Sequence, residues 1–151
     1  MKKHIHVTSV LETIQLAEQL AQLLSPPDVI TLEGDLGAGK TTFTQALAKS
    51  LGVTRTVSSP TFTIIKQYEG TTHPLNHLDV YRLADSDEDL GWDELFYGDA
   101  ISIVEWAQYI EPELPENRLG IKITRTGDTA RLIELEPIGS HFIKICEAIS
   151  Q

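Results

Sequence analysis

GDLGAGKTT, residues 34–42, places three glycines, a lysine and two threonines between two segments of regular pattern. The preceding segment, DVITLEG (28–34), is rich in β-branched residues, which favour a strand. The following segment, TTFTQALAKSLG (41–52), predicts a helix that Gly52 ends. A strand, a glycine loop and a helix in this order are the setting of a phosphate-binding loop. The stretch therefore predicts an α/β protein of the P-loop NTPase class.

The spacing Gly34-x-x-x-x-Gly39-Lys40-Thr41 fits the Walker A pattern at every required position. Glycines allow backbone N–H groups to turn inward around anionic oxygens, and the helix that starts near Lys40 adds its dipole. The Lys40 ammonium can reach the β- and γ-phosphates of a nucleotide, and the Thr41 hydroxyl can bind Mg²⁺. The alternative is an ordinary glycine-rich turn with a surface lysine.

Two acidic residues follow apolar runs and are candidates for the second metal ligand that a phosphate-loop protein needs. Asp79 lies in HLDVYRL (77–83), and Glu105 ends ISIVE (101–105). Glu105 is the more similar to a Walker B acid because of the apolar run before it. Asp79 could bind metal through water, orient a nucleophilic water or hold Thr41. Either residue could also be a surface carboxylate at a strand end.

Several other residues leave two interpretations open. The constrained polar loop SSPTF (58–62) could sense a γ-phosphate or form an ordinary turn. Trp106 could pack in the core, or it could act as a lid or a partner contact. Cys146 is expected in the core. The histidines show no metal-ligand spacing beyond short pairs, so we interpret them as surface or structural residues: His4, His6, His73, His77 and His141.

The rest of the chain mixes strand and helix patterns, which favours an α/β fold. Ser9-x-x-Glu12 fits a capping box at the start of the first helix. We expect three layers around a mainly parallel sheet with antiparallel additions. The predicted segments are a helix at 10–24, strands at 62–70 and 74–83 around a turn at 69–70, an acidic helix at 86–96, a buried central strand at 100–106, a hairpin at 118–137 and a final helix at 140–150.

Length and charge limit the possible classes of function. The chain has 151 residues, which we interpret as a single domain over residues 1–151. Its 22 acidic and 12 basic residues give a net charge of −10, which argues against unaided binding of a phosphate backbone. One cysteine allows no disulfide framework, and no apolar run approaches the ~20 residues that span a bilayer. The N-terminus lacks the apolar core of a signal peptide, so we expect a cytoplasmic protein without membrane contact.

Four motifs in this order resemble those of the TsaE family, also called YjeE or YdiB: GDLGAGKTT (34–42), SPTF (59–62), HLDVYRL (77–83) and VEW (104–106). The likeness covers nearly the whole chain. It implies a small Mg²⁺-dependent ATPase required for formation of N6-threonylcarbamoyladenosine (t6A) at position 37 of bacterial tRNA. Such proteins act with TsaB and TsaD, which stimulate a weak intrinsic ATPase, and the ATP cycle resets the complex between turnovers. Contact with tRNA is expected only through the complex.

The resemblance also implies roles for individual residues. Lys40, Asp79 and Glu105 are expected to be catalytic, and Thr41 and Glu105 are expected to bind the metal ion. Thr61 is the expected sensor of the γ-phosphate. Contacts with ATP are expected from the loop and from three residues outside it: Gly34, Asp35, Leu36, Gly37, Ala38, Gly39, Lys40, Thr41, Thr42, Thr61, Trp106 and Arg131.

The expected reaction is in-line attack of water on the γ-phosphate of ATP, with Asp79 orienting the water or the metal shell. No residue is an obvious arginine finger. Arg82 and Arg131 are candidates, and a partner protein could supply one instead. The N-terminal segment, at Thr8 or Ser9, is a further expected neighbour of the nucleotide.

Three rival functions remain open at this point. A small-molecule kinase would use the same phosphate loop, although the sequence has no arginine-rich lid and little room for an acceptor domain. A nucleotide-gated binding module would hydrolyse ATP only incidentally. A translation-type GTPase is disfavoured because the sequence lacks the Asn-Lys-x-Asp guanine motif.

Overall fold

Strands and helices alternate through the computed structural model, which describes residues 2–35, 37–58, 65–83 and 91–149. The strands are β1 (Lys3–Val7), β2 (Val29–Gly34), β3 (Ile65–Tyr68), β4 (Leu75–Asp79), β5 (Ile101–Glu105), β6 (Arg118–Arg125) and β7 (Arg131–Ile138). The α-helices are α1 (Val10–Leu23), α2 (Lys40–Ser50), α3 (Trp92–Phe96) and α4 (Ser140–Ala148). Short 3-10 helices occupy Tyr81–Leu83 and Ala107–Glu113.

The strands form one sheet in the order β1-β7-β6-β2-β5-β4-β3. Its four central strands, β6, β2, β5 and β4, are parallel, whereas β3 pairs antiparallel at one side and β7 and β1 at the other. The predicted mainly parallel sheet with antiparallel additions is therefore confirmed. Parallel strands end at a common edge, and open α/β sheets bind ligands outside the carboxyl ends of such strands.

Helices cover both faces of the sheet, which gives the predicted three layers. The larger core joins α1, α2 and α4 to one face, with Leu20, Leu47 and Ile145 among its buried side chains. The smaller core joins α3 and the 3-10 helix after β5 to the other face, through Phe96 and Ile110. All five residues of β5 are buried, as its apolar run predicted for a central strand.

Side-chain hydrogen bonds at the start of α1 are close to those of the predicted capping box. The Ser9 hydroxyl accepts the Glu12 backbone N–H at 3.2 Å, so Ser9 is the N-cap. The Glu12 carboxylate accepts the Thr8 N–H and hydroxyl, one residue earlier than the N-cap amide of a strict capping box. The helix start is confirmed, and its reciprocal bond is shifted by one residue.

Some elements differ from the sequence-based expectations. Strand β1 was not predicted, because KHIHV buries only Ile5 and Val7 and lies at the sheet edge. The connection between β3 and β4 is longer than the predicted turn at 69–70. The acidic helix is described only as α3, and the rest of that prediction, 86–90, lies outside the described residues. No helix in the described ranges is long and apolar enough to cross a membrane.

Candidate functional site

The glycine loop between β2 and α2 has a backbone that other residues cannot adopt freely. Gly37 and Gly39 have φ of 81° and 108°, in the left-handed region that favours glycine. A Cβ on Gly34 would lie 2.7 Å from the Ile123 carbonyl oxygen, which is too close for any side chain. The spacing of glycines therefore reflects both the turn and the close approach of β6. Leu36, an expected loop contact, lies outside the described residues.

Helix α2 starts inside the loop motif, with Gly39 as its N-cap. Glycine has no side chain with which to cap the first amide groups, and a helix start leaves these groups without intrahelical acceptors. Amide groups and dipole together make such a start suitable for an anion. Thr41 is exposed and Thr42 is half-buried on this first turn, and Asp35 is exposed at the loop entry.

Arg131 at the start of β7 holds the phosphate loop from the side. Its Nε donates to the Ala38 carbonyl at 2.8 Å, and Nη2 donates to the Gly37 carbonyl at 3.4 Å. Its Nη1 donates to the Gly127 and Ala130 carbonyls in the β6–β7 turn, at 3.0 and 2.8 Å. The guanidinium thus joins the loop to the turn of the β6–β7 hairpin.

Asp79 and Glu105 end the adjacent parallel strands β4 and β5, and their Cα atoms are partners in the strand register. Side chains in register on neighbouring strands point to the same face of a sheet. Ile103, two residues before Glu105, packs in the core that contains α2, so both acids lie on the α2 face. The Asp79 carboxylate accepts the Tyr81 backbone N–H at 3.1 Å. The structure brings the two predicted acids together beside the loop.

Glu105 is buried, with 8% of its surface exposed, and contacts two basic side chains. Its Oε1 lies 3.4 Å from Lys40 Nζ, and its Oε2 lies 2.7 Å from His77 Nε2. Burial by itself would raise the pKa of the Glu105 carboxyl, but the hydrogen bond and charge of His77, joined by those of Lys40, outweigh it and lower the pKa. Glu105 is therefore ionised at neutral pH and can act as a metal ligand.

Trp106 lies at the mouth of this site and is not a core residue. It is 39% exposed and has φ of 62°, an unusual backbone conformation for a large side chain. Lys40 Nζ lies 5.7 Å from the centre of the indole ring, and the rings of Tyr81 and Tyr109 pack against it. A cavity of about 310 Å³ extends from Lys40 and Trp106 to Lys122 on β6.

The described residues contain no group of three or more His, Cys, Asp or Glu side chains that could hold a metal ion alone. Mg²⁺ usually takes one or two protein carboxylates together with phosphate oxygens and waters. Thr41 and Glu105 supply the hydroxyl and carboxylate types that a phosphate loop uses for this ion. The donor types of Thr41 and Glu105 therefore fit a nucleotide-bound Mg²⁺.

Two of the expected sites lie outside the described part of the chain. One residue at the site, His77, was not among the predicted site residues. Thr61 and the SPTF segment, 59–62, lie outside the described residues, as does the side chain of Arg82. Of the two predicted alternatives for His77, surface or structural, the structure shows a buried position, with the ring hydrogen-bonded to Glu105. Its position two residues before Asp79 on one strand was the signal, because alternate strand residues share a face.

Comparisons with known proteins show the family and the fold to which the chain is similar. The family model described as threonylcarbamoyl adenosine biosynthesis protein TsaE matches residues 7–133. The tRNA threonylcarbamoyladenosine biosynthesis protein TsaE of Bacillus subtilis (strain 168) is 52% identical over 140 residues, which are 93% of this chain and 89% of that protein. The protein of the same name from Streptomyces coelicolor is 44% identical over 122 residues, covering 77% of this chain and 82% of its own. The crystal structure of Bacillus subtilis YdiB superposes with a TM-score of 0.84 at 44% identity, covering 97% of this chain and 93% of that one.

Proposed function

This chain belongs to the TsaE family of threonylcarbamoyl adenosine biosynthesis proteins, and on that premise we propose that it is the Mg²⁺-dependent ATPase subunit that supports t6A formation in tRNA. The observation that carries the proposal is the meeting of Lys40 and Glu105, 3.4 Å apart, where the glycine loop ends and α2 begins. A lysine and a carboxylate in this position are the parts that P-loop enzymes use to bind a nucleotide and its metal ion.

The phosphates are bound by the loop backbone and by Lys40. The left-handed conformations of Gly37 and Gly39 support a loop whose amide groups face an anion. Lys40 is largely shielded from water, with 18% of its side chain exposed, so its charge acts strongly on a nearby phosphate. ATP is favoured over GTP because the sequence has no Asn-Lys-x-Asp motif.

Thr41 and Glu105 would hold Mg²⁺, which neutralises charge on the phosphates during their transfer. Asp79 is the residue that orients the attacking water. Its carboxylate is fixed by the Tyr81 N–H and lies beside Glu105 on the same sheet face. A carboxylate has two oxygens, so one can keep the backbone contact while the other accepts a hydrogen bond from water.

The partner proteins are TsaB and TsaD, and they accelerate hydrolysis by this chain. Arg131 is occupied by the carbonyls of the loop and hairpin, which makes it a poor candidate for an arginine finger. A finger provided in trans accelerates such reactions by about 10³–10⁵-fold. The net charge of −10 argues against direct binding of tRNA and so supports contact with tRNA through the complex. The proposed place of action is the cytoplasm.

ATP hydrolysis by the purified chain, with and without TsaB and TsaD, tests the proposal. We expect slow release of phosphate alone, strong stimulation by the pair, and loss of both in Lys40→Ala. Lys49→Ala, in the last turn of the same helix, is the matched control and should keep wild-type rates. Equal turnover with and without partners would contradict the proposal, and a phosphorylated small molecule in place of free phosphate would indicate a kinase.

A further inference from the structure

His77 is a buried histidine whose ring contacts the candidate metal ligand. It lies on β4 with 2% of its surface exposed, and its Nε2 is 2.7 Å from Glu105 Oε2. An ionised carboxylate only accepts hydrogen bonds, so Nε2 is the donor. Because Glu105 lies on the next strand, this hydrogen bond joins β4 to β5 at the edge where the site lies.

The two oxygens of Glu105 have different surroundings. Oε2 faces the buried imidazole of His77, while Oε1 faces Lys40 at 3.4 Å, on the side of the phosphate loop. A glutamate side chain has several rotatable bonds, and fixing it in one geometry costs conformational entropy. The hydrogen bond from the rigid, buried ring of His77 fixes the Glu105 side chain before any ligand binds, so that ligand binding does not have to order it.

The second ring nitrogen of His77 points to a role other than core stability. Nδ1 is buried and has no hydrogen-bond partner within the described part of the chain. A buried polar atom without a partner destabilises a fold, and an apolar side chain of similar size would avoid this cost. Packing in the core alone therefore does not explain an imidazole at position 77, whereas the hydrogen bond between His77 and Glu105 does.

We propose that His77 is a positioning residue that holds Glu105 Oε2 and so directs Oε1 toward the phosphate loop as a ligand for Mg²⁺. The inference rests on the proposed function of Glu105. Partners behind metal ligands orient them, and their loss typically lowers metal affinity or activity about 10–100-fold. His77 would thus affect the metal ion without touching either the metal or the nucleotide.

Binding of the fluorescent nucleotide N-methylanthraniloyl-ATP, in EDTA and across a Mg²⁺ titration, tests the inference without relying on turnover. His77→Leu removes the donor, and His77→Gln can place an amide N–H near the Nε2 position. We expect His77→Leu to need at least about tenfold more Mg²⁺ for half-saturation, with unchanged binding in EDTA. His77→Gln should stay within about threefold of wild type, since a donor is kept.

Asn76→Leu is the matched control, because Asn76 is the adjacent buried residue on β4 and alternation places it on the opposite face. It should leave the Mg²⁺ titration unchanged. If His77→Leu does not fold by circular dichroism, His77→Asn replaces it. That side chain is polar but too short to reach Glu105, and it should show the same loss.

Three results would overturn the inference, and the first two separate its failure from that of the proposed function. A folded His77→Leu with the wild-type Mg²⁺ titration would exclude positioning while leaving the proposed function intact. A wild-type chain whose nucleotide binding ignores Mg²⁺ would overturn the proposed metal site, and the role of His77 with it. Equal losses in His77→Gln and His77→Leu would also contradict a donor role.

Discussion

Lys40 Nζ and Glu105 Oε1 lie 3.4 Å apart, so the loop lysine and the strand-end carboxylate neutralise each other inside one site. Opposite charges this close in a mostly buried setting attract more strongly than on an open surface. The pair keeps two charged groups ready at the place where phosphates and a metal ion would meet. Its members lie far apart in sequence, with β3, β4 and α3 between α2 and β5, and the parallel sheet brings them together.

Replacing Glu105 by glutamine should abolish most ATP hydrolysis while keeping the shape of the side chain. We expect a loss of more than about a hundredfold, since even residues that only orient metal ligands are worth 10–100-fold. The measurement is the steady-state release of phosphate in the presence of TsaB and TsaD. Glu116→Gln, an exposed residue between the 3-10 helix and β6, is the control and should keep full activity. An active Glu105→Gln would remove Glu105 from the metal site.

Removing the guanidinium of Arg131 should weaken nucleotide binding by loosening the loop. Hydrogen bonds that involve a charged group are worth about 1.5–3 kcal/mol, so Arg131→Ala should lower ATP affinity about tenfold or more. Arg131→Lys should fail to restore it, because an ammonium cannot reproduce the planar fork that reaches both loop and hairpin carbonyls. Calorimetric titration with ATP measures the effect.

Arg125→Ala is the control for Arg131, because Arg125 lies on the same hairpin and its side chain bonds, among the described residues, to Gly127 and Asp128 of the turn and not to the glycine loop. It should bind ATP as wild type does. Full rescue by Arg131→Lys would contradict the loop-holding role and favour direct contact between a positive charge and a phosphate.

A side chain at Gly34 should destabilise the whole fold as well as the site. The added Cβ of Gly34→Ala would meet the Ile123 carbonyl at 2.7 Å, and relieving this contact requires β6 or the loop to move. Overpacking of this kind costs about 1–3 kcal/mol. Urea unfolding measures the loss, and Gly127→Ala, whose Cβ has more space in an exposed turn, should change stability by less than about 0.5 kcal/mol. Equal stability of the two variants would contradict the close approach at Gly34.

The stability of the chain should depend on the ionisation of Glu105. Its folded-state pKa is lower than the ordinary 4.5. The ionised carboxylate therefore stabilises the fold above that pH, and this contribution is lost as pH falls through the folded-state pKa. The difference in unfolding free energy between wild type and Glu105→Gln should be constant near neutral pH and shift against wild type on acidification below 4.5. A shift in favour of wild type would mean that burial dominates and raises the pKa.

The loop and the central sheet could be predicted from sequence because their signals are local. Glycine spacing determines the turn before α2, and the apolar run of β5 predicts a buried parallel strand. Strand β1 was not predicted because only Ile5 and Val7 show the alternating apolar pattern of a strand. Short edge strands bury too little surface to stand out from a polar terminus.

Glu105 contacts Lys40 and lies beside Asp79, as the motifs predict, but the detailed contacts could not be predicted from the sequence. The hydrogen bond of His77 to Glu105 and that of Arg131 to Ala38 join residues far apart in the chain. Such contacts depend on strand register and on which strands become neighbours, and neither is written in a local pattern. The left-handed backbone of Trp106 likewise follows from the turn after β5 and not from its residue type.

The most direct test of the central claim is the number of t6A residues formed per complex when TsaB, TsaD and this chain are limiting and tRNA, ATP and threonylcarbamoyl-AMP are in excess. We expect many turnovers with the wild-type chain and at most about one with Lys40→Ala, provided that the variant still binds its partners. Multiple turnovers with Lys40→Ala at the wild-type rate would contradict an ATP cycle at this loop and leave the chain as a scaffold.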